Sequence, residues 1–251
     1  MSIRLIITDV DGCVSSEASV PFEIESFATL CRLSREASAG RGAIAPLTLC
    51  TGRPQPYVEL LTKLMDIRFP AICENGAVLY DLANNHARYL PGLSQEKLAG
   101  MRRVRSFIET DVLTKYDKAI IQFGKEAQLS VFSETPDIFI EIRPLIEQFN
   151  RAHNGPELVI SASHCYLNIS LAGADKGSAI RHLLQELGLK REEVAGIGDT
   201  EGDLPLQREV GFFACPSNST PEVKKVADYV SPHATIEGLL DILKRPEMQR
   251  A

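Results

Sequence analysis

The stretch Asp9-Val10-Asp11-Gly12 sets two carboxylates two positions apart, directly behind an apolar run that begins at Ile3. Such a run reads as a buried strand ending at Asp9, and Gly12 permits a sharp exit, so both acids can be presented at the strand's C-terminal edge. Two acids in one place can divide the work: one binds a cation and attacks as a nucleophile, while the other, kept protonated, acts as an acid. The same four residues are also the makings of an ordinary surface turn.

Three more stretches have this double character. Thr51-Gly52-Arg53 closes a second β-rich run. A hydroxyl and exposed N–H groups before a helix can cradle phosphate; equally, Thr51 caps a helix, Gly52 turns and Pro54 opens it. Lys176 opens a helical pattern, where the helix dipole disfavours a cation. An anion to be neutralised accounts for it, and so does Asp175 capping the helix with Lys176 solvated. Asp199 and Asp203 follow the apolar run that starts at Val194. They can converge on one hard cation through oxygen, or form another acidic turn with a helix cap. Asn75, in Glu74-Asn75-Gly76, is placed for a hinge, a substrate contact or a tight hairpin turn.

The elements that must position these residues alternate short β-rich runs with helical patterns. That alternation is the signature of a parallel sheet covered by helices on both faces, and such a sheet binds ligands at the C-terminal ends of its strands. The rhythm changes from about Leu82 to Ala172, where the order becomes helix, two strands, helix, two strands. The expected fold is α/β: a Rossmann-like parallel-sheet core from residues 1–81 and 173–251, with an α+β cap of αββαββ order inserted at 82–172. Pro70–Asp81 reads as one further strand of the core.

D-x-D-G, T-G-R, Lys and G-D-x-x-x-D, in that order and each at a strand end or helix start, resemble the haloacid dehalogenase superfamily of phosphohydrolases over Ile3 to Cys215. The resemblance implies Asp9 as nucleophile forming an aspartyl-phosphate, and Asp11 as the acid that protonates the leaving oxygen and then activates water. It implies Thr51 and Lys176 on the transferring phosphoryl group, with Gly12, Gly52, Arg53 and Asn75 as substrate contacts. Magnesium would be held by Asp9, the main-chain carbonyl of Asp11, Asp199 and Asp203. The insert resembles the cap of the Cof-type, IIB subfamily, nearest in size to phosphoglycolate phosphatases and akin to sucrose-phosphate phosphatase. The implied activity is a Mg2+-dependent phosphomonoesterase on a small phosphorylated metabolite, a sugar phosphate or phosphoglycolate-like compound. A phosphomutase of the phosphomannomutase type is the alternative, and a non-enzymatic phospho-acceptor is set aside because of the large insert and the late acidic motif. Three positions depart from the pattern: Cys13 for Thr, Gly202 for Asn and Leu206 for Met.

Composition limits the partners. The formal net charge of -6 lacks the basic footprint of a nucleic-acid binder, so a small anion must be bound by local donors or a metal. No run approaches a membrane span, and no secretory signal is legible; the expectation is a cytoplasmic protein with no membrane partner. The six cysteines stand singly, without C-x-x-C pairs, and read as reduced, mostly buried thiols. In the cap, Lys118, Arg143, His164 and Asn168 could reach a leaving group. Oligomeric state carries no signal.

Overall fold

The computed structural model describes residues 2–16, 20–163 and 165–250. It divides into two compact units, Met1–Arg88 with Lys176–Ala251, and Tyr89–Asp175. In chain order the elements are β1 (Leu5–Thr8), α1 (Ile24–Ser38), β2 (Leu47–Leu49), α2 (Gln55–Met65), β3 (Ala71–Cys73), β4 (Val78–Asp81) and β5 (His86–Tyr89). The second unit follows as α3 (Gln95–Phe107), β6 (Ala119–Ile121), β7 (Gln128–Ser133), α4 (Phe139–Ala152), β8 (Leu158–Ser163) and β9 (Tyr166–Leu171). The chain then returns to the first unit with α5 (Lys176–Leu187), β10 (Val194–Ile197), α6 (Leu204–Glu209), β11 (Phe212–Cys215), α7 (Pro221–Val226), β12 (Tyr229–Val230) and α8 (Thr235–Leu243).

Five strands of the first unit form one sheet in the order β12-β11-β10-β1-β2, every neighbouring pair parallel. Residues Leu5 to Thr8 are all buried, as expected of a parallel strand covered on both faces. The covering helices are amphipathic. α1 buries Phe27, Leu30, Ser34 and Ala37, and α2 buries Val58, Leu61, Thr62 and Met65, the three-and-four spacing of a single helical face. Each such large apolar side chain, fully buried, contributes about 1.5–3 kcal/mol. Asp66 ends α2 in the left-handed region, φ 54°, its N–H donating to the Thr62 carbonyl.

Residues 71–81 are a hairpin rather than the single strand their apolar character suggests: β3 and β4 pair antiparallel. Glu74, Asn75 and Gly76 all take positive φ, 49°, 54° and 106°, which reverses the chain. β5, within the stretch assigned by sequence to the insert, lies beside β4. A lone parallel bridge between Cys50 and Ile72 joins this hairpin to the end of β2.

The second unit is a four-stranded antiparallel sheet, β6-β7-β9-β8, with α3 and α4 joined by stacked Phe107 and Phe149 rings 4.1 Å apart. Its helices and strands follow the αββαββ order. Along β7 the apolar Leu129 and Val131 alternate with Gln128 and Ser130. The two polar side chains meet Asn168 of β9: Ser130 Oγ and Gln128 Nε2 both donate to Asn168 Oδ1, at 2.7 and 3.0 Å.

Candidate active site

Parallel register brings the chemistry together. Thr8 lies opposite both Ile197 and Leu49, so the residues that follow these three strands emerge side by side. The Asp9 N–H donates to the Ile197 carbonyl at 2.8 Å, and the Cys50 N–H to the Thr8 carbonyl at 2.9 Å. Asp9, Thr51 and Asp199 therefore share one edge of the sheet. Behind Asp9 the chain turns at Gly12, with φ of 79°. A Cβ there would stand 1.9 Å from Asp199 Oδ2, so only glycine lets the two acidic loops touch.

Lys176, the first residue of α5, is 5% exposed. Its ammonium donates to Asp203 Oδ1 at 2.6 Å and lies 3.1 Å from Asp9 Oδ1. It is thus a buried partner of two acids, not a solvated side chain, and these acids offset the helix dipole at its position. Asp203 is wholly buried. Its second oxygen accepts the backbone N–H groups of Asp199 and Thr200, at 3.0 and 3.1 Å, and so fixes the acidic loop. Gly198 makes room for this, since a Cβ would stand 2.4 Å from the Asp203 Cβ.

The electrostatics follow from this crowding. Burial pushes the Asp9 carboxyl up to about 7, Lys176 opposes the rise, and Asp203 and Asp11 add to it. Burial works against the charge on Lys176, yet Asp203 and Asp9 outweigh it and hold the ammonium well above its ordinary value. Cys13 is buried behind the pair, its thiol pushed well up by burial first and then by Asp199 and Asp9; it is a neutral thiol.

Asp9, Asp199 and Asp203 each offer a carboxylate oxygen, all within 4.8 Å of one another. Three buried acids against the Lys176 ammonium leave negative charge for a cation to balance, and an all-oxygen donor set suits a hard ion such as Mg2+. The residues present fit that ion. Asp203 already accepts three hydrogen bonds, so its place in such a site is to hold Lys176 and the loop. The Asp11 side chain lies outside the trio: Arg53 Nε donates to its Oδ2 at 2.8 Å and to Oδ1 at 3.1 Å.

Thr51 is buried, and its hydroxyl accepts the Arg53 N–H at 3.2 Å. It is not the cap of α2, whose N-cap is Pro54. The 74–76 turn braces this loop: the Glu74 N–H donates to the Arg53 carbonyl and the Asn75 N–H to the Thr51 carbonyl, each at 3.0 Å. Asn75 also abuts Gly52, where a Cβ would stand 3.0 Å from the amide oxygen.

Sequence reasoning missed Asn218. Its amide donates to the Gly12 carbonyl at 3.0 Å and lies 3.5 Å from Asp199 Oδ2, while its oxygen accepts the Thr235 N–H at 2.7 Å. The available signal was its position in a polar loop just past β11, on the same sheet edge as the other motifs. Of the cap candidates, Lys118 and Arg143 are exposed, Arg143 pairing with Glu147; Asn168 sits in the Gln128–Ser130 network, and His164 lies outside the described residues. None of the six cysteines is in a disulfide, and Cys13, Cys50, Cys73 and Cys215 are buried. Among the described residues no helix is long and apolar enough to cross a membrane.

Comparison with known proteins adds four findings. Residues 103–243 match the family profile described as haloacid dehalogenase-like hydrolase. A curated phosphoglycolate phosphatase of Methanothermobacter thermautotrophicus is 25% identical, covering 97% of this chain and 98% of its own. Among solved structures, Thermoplasma acidophilum 0175 superposes with a TM-score of 0.72 at 23% identity, over 97% of this chain and 98% of that one. The HAD subclass IIB sugar phosphatase BT4131 does so with a TM-score of 0.64 at 22% identity, over 96% and 98%.

Proposed function

Because this chain belongs to the haloacid dehalogenase-like hydrolase family, we propose that it is a Mg2+-dependent phosphomonoesterase that hydrolyses a small phosphorylated metabolite through an aspartyl-phosphate. The observation that carries this reading is the convergence of Asp9, Asp199 and Asp203 on one sheet edge, with Lys176 between Asp9 and Asp203.

In this reading Asp9, ionised, attacks phosphorus, and the bond from phosphorus to the ester oxygen breaks. Asp11 gives its proton to that departing oxygen. Asp11, now a carboxylate, takes a proton from water, which attacks the acyl phosphate and releases inorganic phosphate with Asp9 restored. Lys176 and the Thr51 hydroxyl hold the phosphoryl oxygens, helped by N–H groups around Gly12 and Gly52. Gly52, Arg53 and Asn75 form the adjoining rim. Asp9, Asp199 and the Asp11 carbonyl, with Asp203 behind them, would hold magnesium, which would supply the positive charge that lets a carboxylate approach a phosphate dianion. The 89–175 unit is the cap in this scheme.

The curated relative's activity makes 2-phosphoglycolate the first compound to test, beside sugar phosphates, nucleoside monophosphates and p-nitrophenyl phosphate. The expected result is release of inorganic phosphate in Mg2+ from at least one of them, with no phosphoryl group recovered on a second sugar. Failure to release phosphate from any, or recovery of it on a sugar acceptor, overturns the reading.

A further inference from the structure

The loop after β11 enters the scheme above at no step, yet one of its side chains joins the two acidic loops. Asn218 stands exposed at the sheet edge, and its amide has three neighbours. The nitrogen donates to the Gly12 carbonyl at 3.0 Å and lies 3.5 Å from Asp199 Oδ2. The oxygen accepts the Thr235 N–H at 2.7 Å. A backbone N–H only donates and a carbonyl only accepts, so these partners allow the amide one orientation. Thr235, the first residue of α8, is held at φ 46°. That is a left-handed conformation which a β-branched residue rarely takes and keeps only where its surroundings fix it. The loop is tied down on either side of Asn218 as well: the Ser217 N–H donates to the His233 carbonyl at 2.8 Å and the Thr220 N–H to the Asp199 carbonyl at 2.9 Å.

We infer that Asn218 is a positioning residue for the candidate cation site: it fixes the two loops that supply the ligand oxygens relative to each other, and so tunes the site to a small ion. The inference rests on the cation site of the phosphomonoesterase reading and deepens it. In that reading the Asp11 carbonyl comes from one loop and the Asp199 carboxylate from the other. Gly12, at φ 79° and without a side chain, is the loosest point of the first loop, and the bond to its carbonyl removes that freedom. A carboxylate turns about its side-chain bonds, and the amide beside Oδ2 limits how far. Mg2+ demands near-ideal octahedral geometry at about 2.0–2.1 Å, whereas Ca2+ accepts longer and less regular ligand sets. Fixed ligands therefore favour the smaller ion. Losing Asn218 leaves the backbone of the second loop in place, because Asp203 Oδ2 still accepts the Asp199 and Thr200 N–H groups and Thr220 still donates to the Asp199 carbonyl. What changes is the aim of the oxygens, not their presence.

Calorimetric titration of the whole chain with Mg2+ alone, and separately with Ca2+ alone, reads this aim without any turnover. In Asn218→Ala the Mg2+ dissociation constant rises about 10-fold, the lower end of what losing a residue that supports metal ligands brings. The Ca2+ constant rises by less than about 3-fold, because the larger ion tolerates the looser set. Circular dichroism of each variant verifies folding. Asp241→Asn serves as the control, since it weakens the hydroxyl contacts of Tyr229 and Ser231 near the other end of α8. It lowers the melting temperature and leaves the Mg2+ constant within about 2-fold, as expected of a distant, independent site. An unchanged Mg2+ constant in Asn218→Ala, or an equal loss for both ions, overturns the inference. So does an equal Mg2+ loss in Asp241→Asn, which would mean that loosened packing alone weakens the site. If Asn218→Ala fails to fold, Asn218→Ser, too short to reach the Gly12 carbonyl, is titrated in its place and judged in the same way. Wild-type protein that binds no Mg2+ overturns the inference, whereas wild-type protein that binds Mg2+ but releases no phosphate removes the phosphomonoesterase activity and leaves the role of Asn218 standing.

Discussion

Asp9 concentrates the electrostatics of the site. Burial raises its carboxyl to about 7, against the pull of Lys176 and with the help of Asp203 and Asp11. A folded value above the ordinary 3.8 means that ionising Asp9 costs stability. The cost is absent at low pH, grows as pH rises from about 3.8 to about 7, and is complete above that. A cation that ligates the ionised form relieves the cost, so it stabilises the protein more where Asp9 would otherwise resist ionisation least. Thermal melting with and without Mg2+ is expected to give a larger upward shift at pH 8 than at pH 6; equal shifts would take Asp9 out of the ligand set. Replacing Asp9 by Asn removes the nucleophile and the buried charge together. The expected outcome is hydrolysis of p-nitrophenyl phosphate reduced by about 1,000-fold or more, with melting in the absence of Mg2+ no lower than wild type. Undiminished turnover in that variant would reject the nucleophile.

Among the elements, those readable in the sequence were the ones whose residues speak for themselves. β1, β10 and β11 are apolar runs, α1 and α8 carry one apolar face, and the acidic motifs stand at strand ends, so the parallel core and the edge that gathers those motifs were legible. The hairpin of β3 and β4 was legible only as one of three readings of Asn75, because its turn, Glu74 to Gly76, rests on three left-handed residues docked on Arg53 and Thr51. β5 and β12 escaped because His86–Tyr89 is polar and Tyr229–Val230 is short. Asn218 escaped for a different reason: its partner is far away in sequence, and only the closed sheet brings it to Gly12. The C-terminal elements carry a prediction of their own. Asp241 on α8 accepts the hydroxyls of Tyr229 and Ser231, both at 2.8 Å. Burial works against its charge, yet these hydroxyls outweigh that and hold the carboxyl below its ordinary 3.8. A lowered value contributes stability above about 3.8 that is lost as pH falls through the folded value. Denaturant unfolding of Asp241→Asn beside wild type is expected to show a gap at pH 5 that narrows toward pH 3; a gap that does not change with pH would assign the stabilisation to packing instead.

At the scale of the whole molecule, strand register and the buried face of each helix hold the first unit together, and the candidate metal ligands sit at its edge rather than in its interior. EDTA is therefore expected to abolish phosphate release while the circular dichroism spectrum stays native, and added Mg2+ to restore activity in full. Unfolding by the chelator would mean that the cation holds the sheet as well. At 100 times its dissociation constant, a bound ion adds about 2.7 kcal/mol to stability, so the chelated protein should melt lower but still cooperatively. The first unit is also discontinuous, with β1 between β2 from the N-terminal segment and β10 from the C-terminal one. A nascent chain still attached to the ribosome through its first 175 residues thus exposes one long edge of its earliest strand, with the neighbour that covers it not yet synthesised. This unit is completed last, and while translation continues its unpaired strand is the surface a chaperone would need to shield.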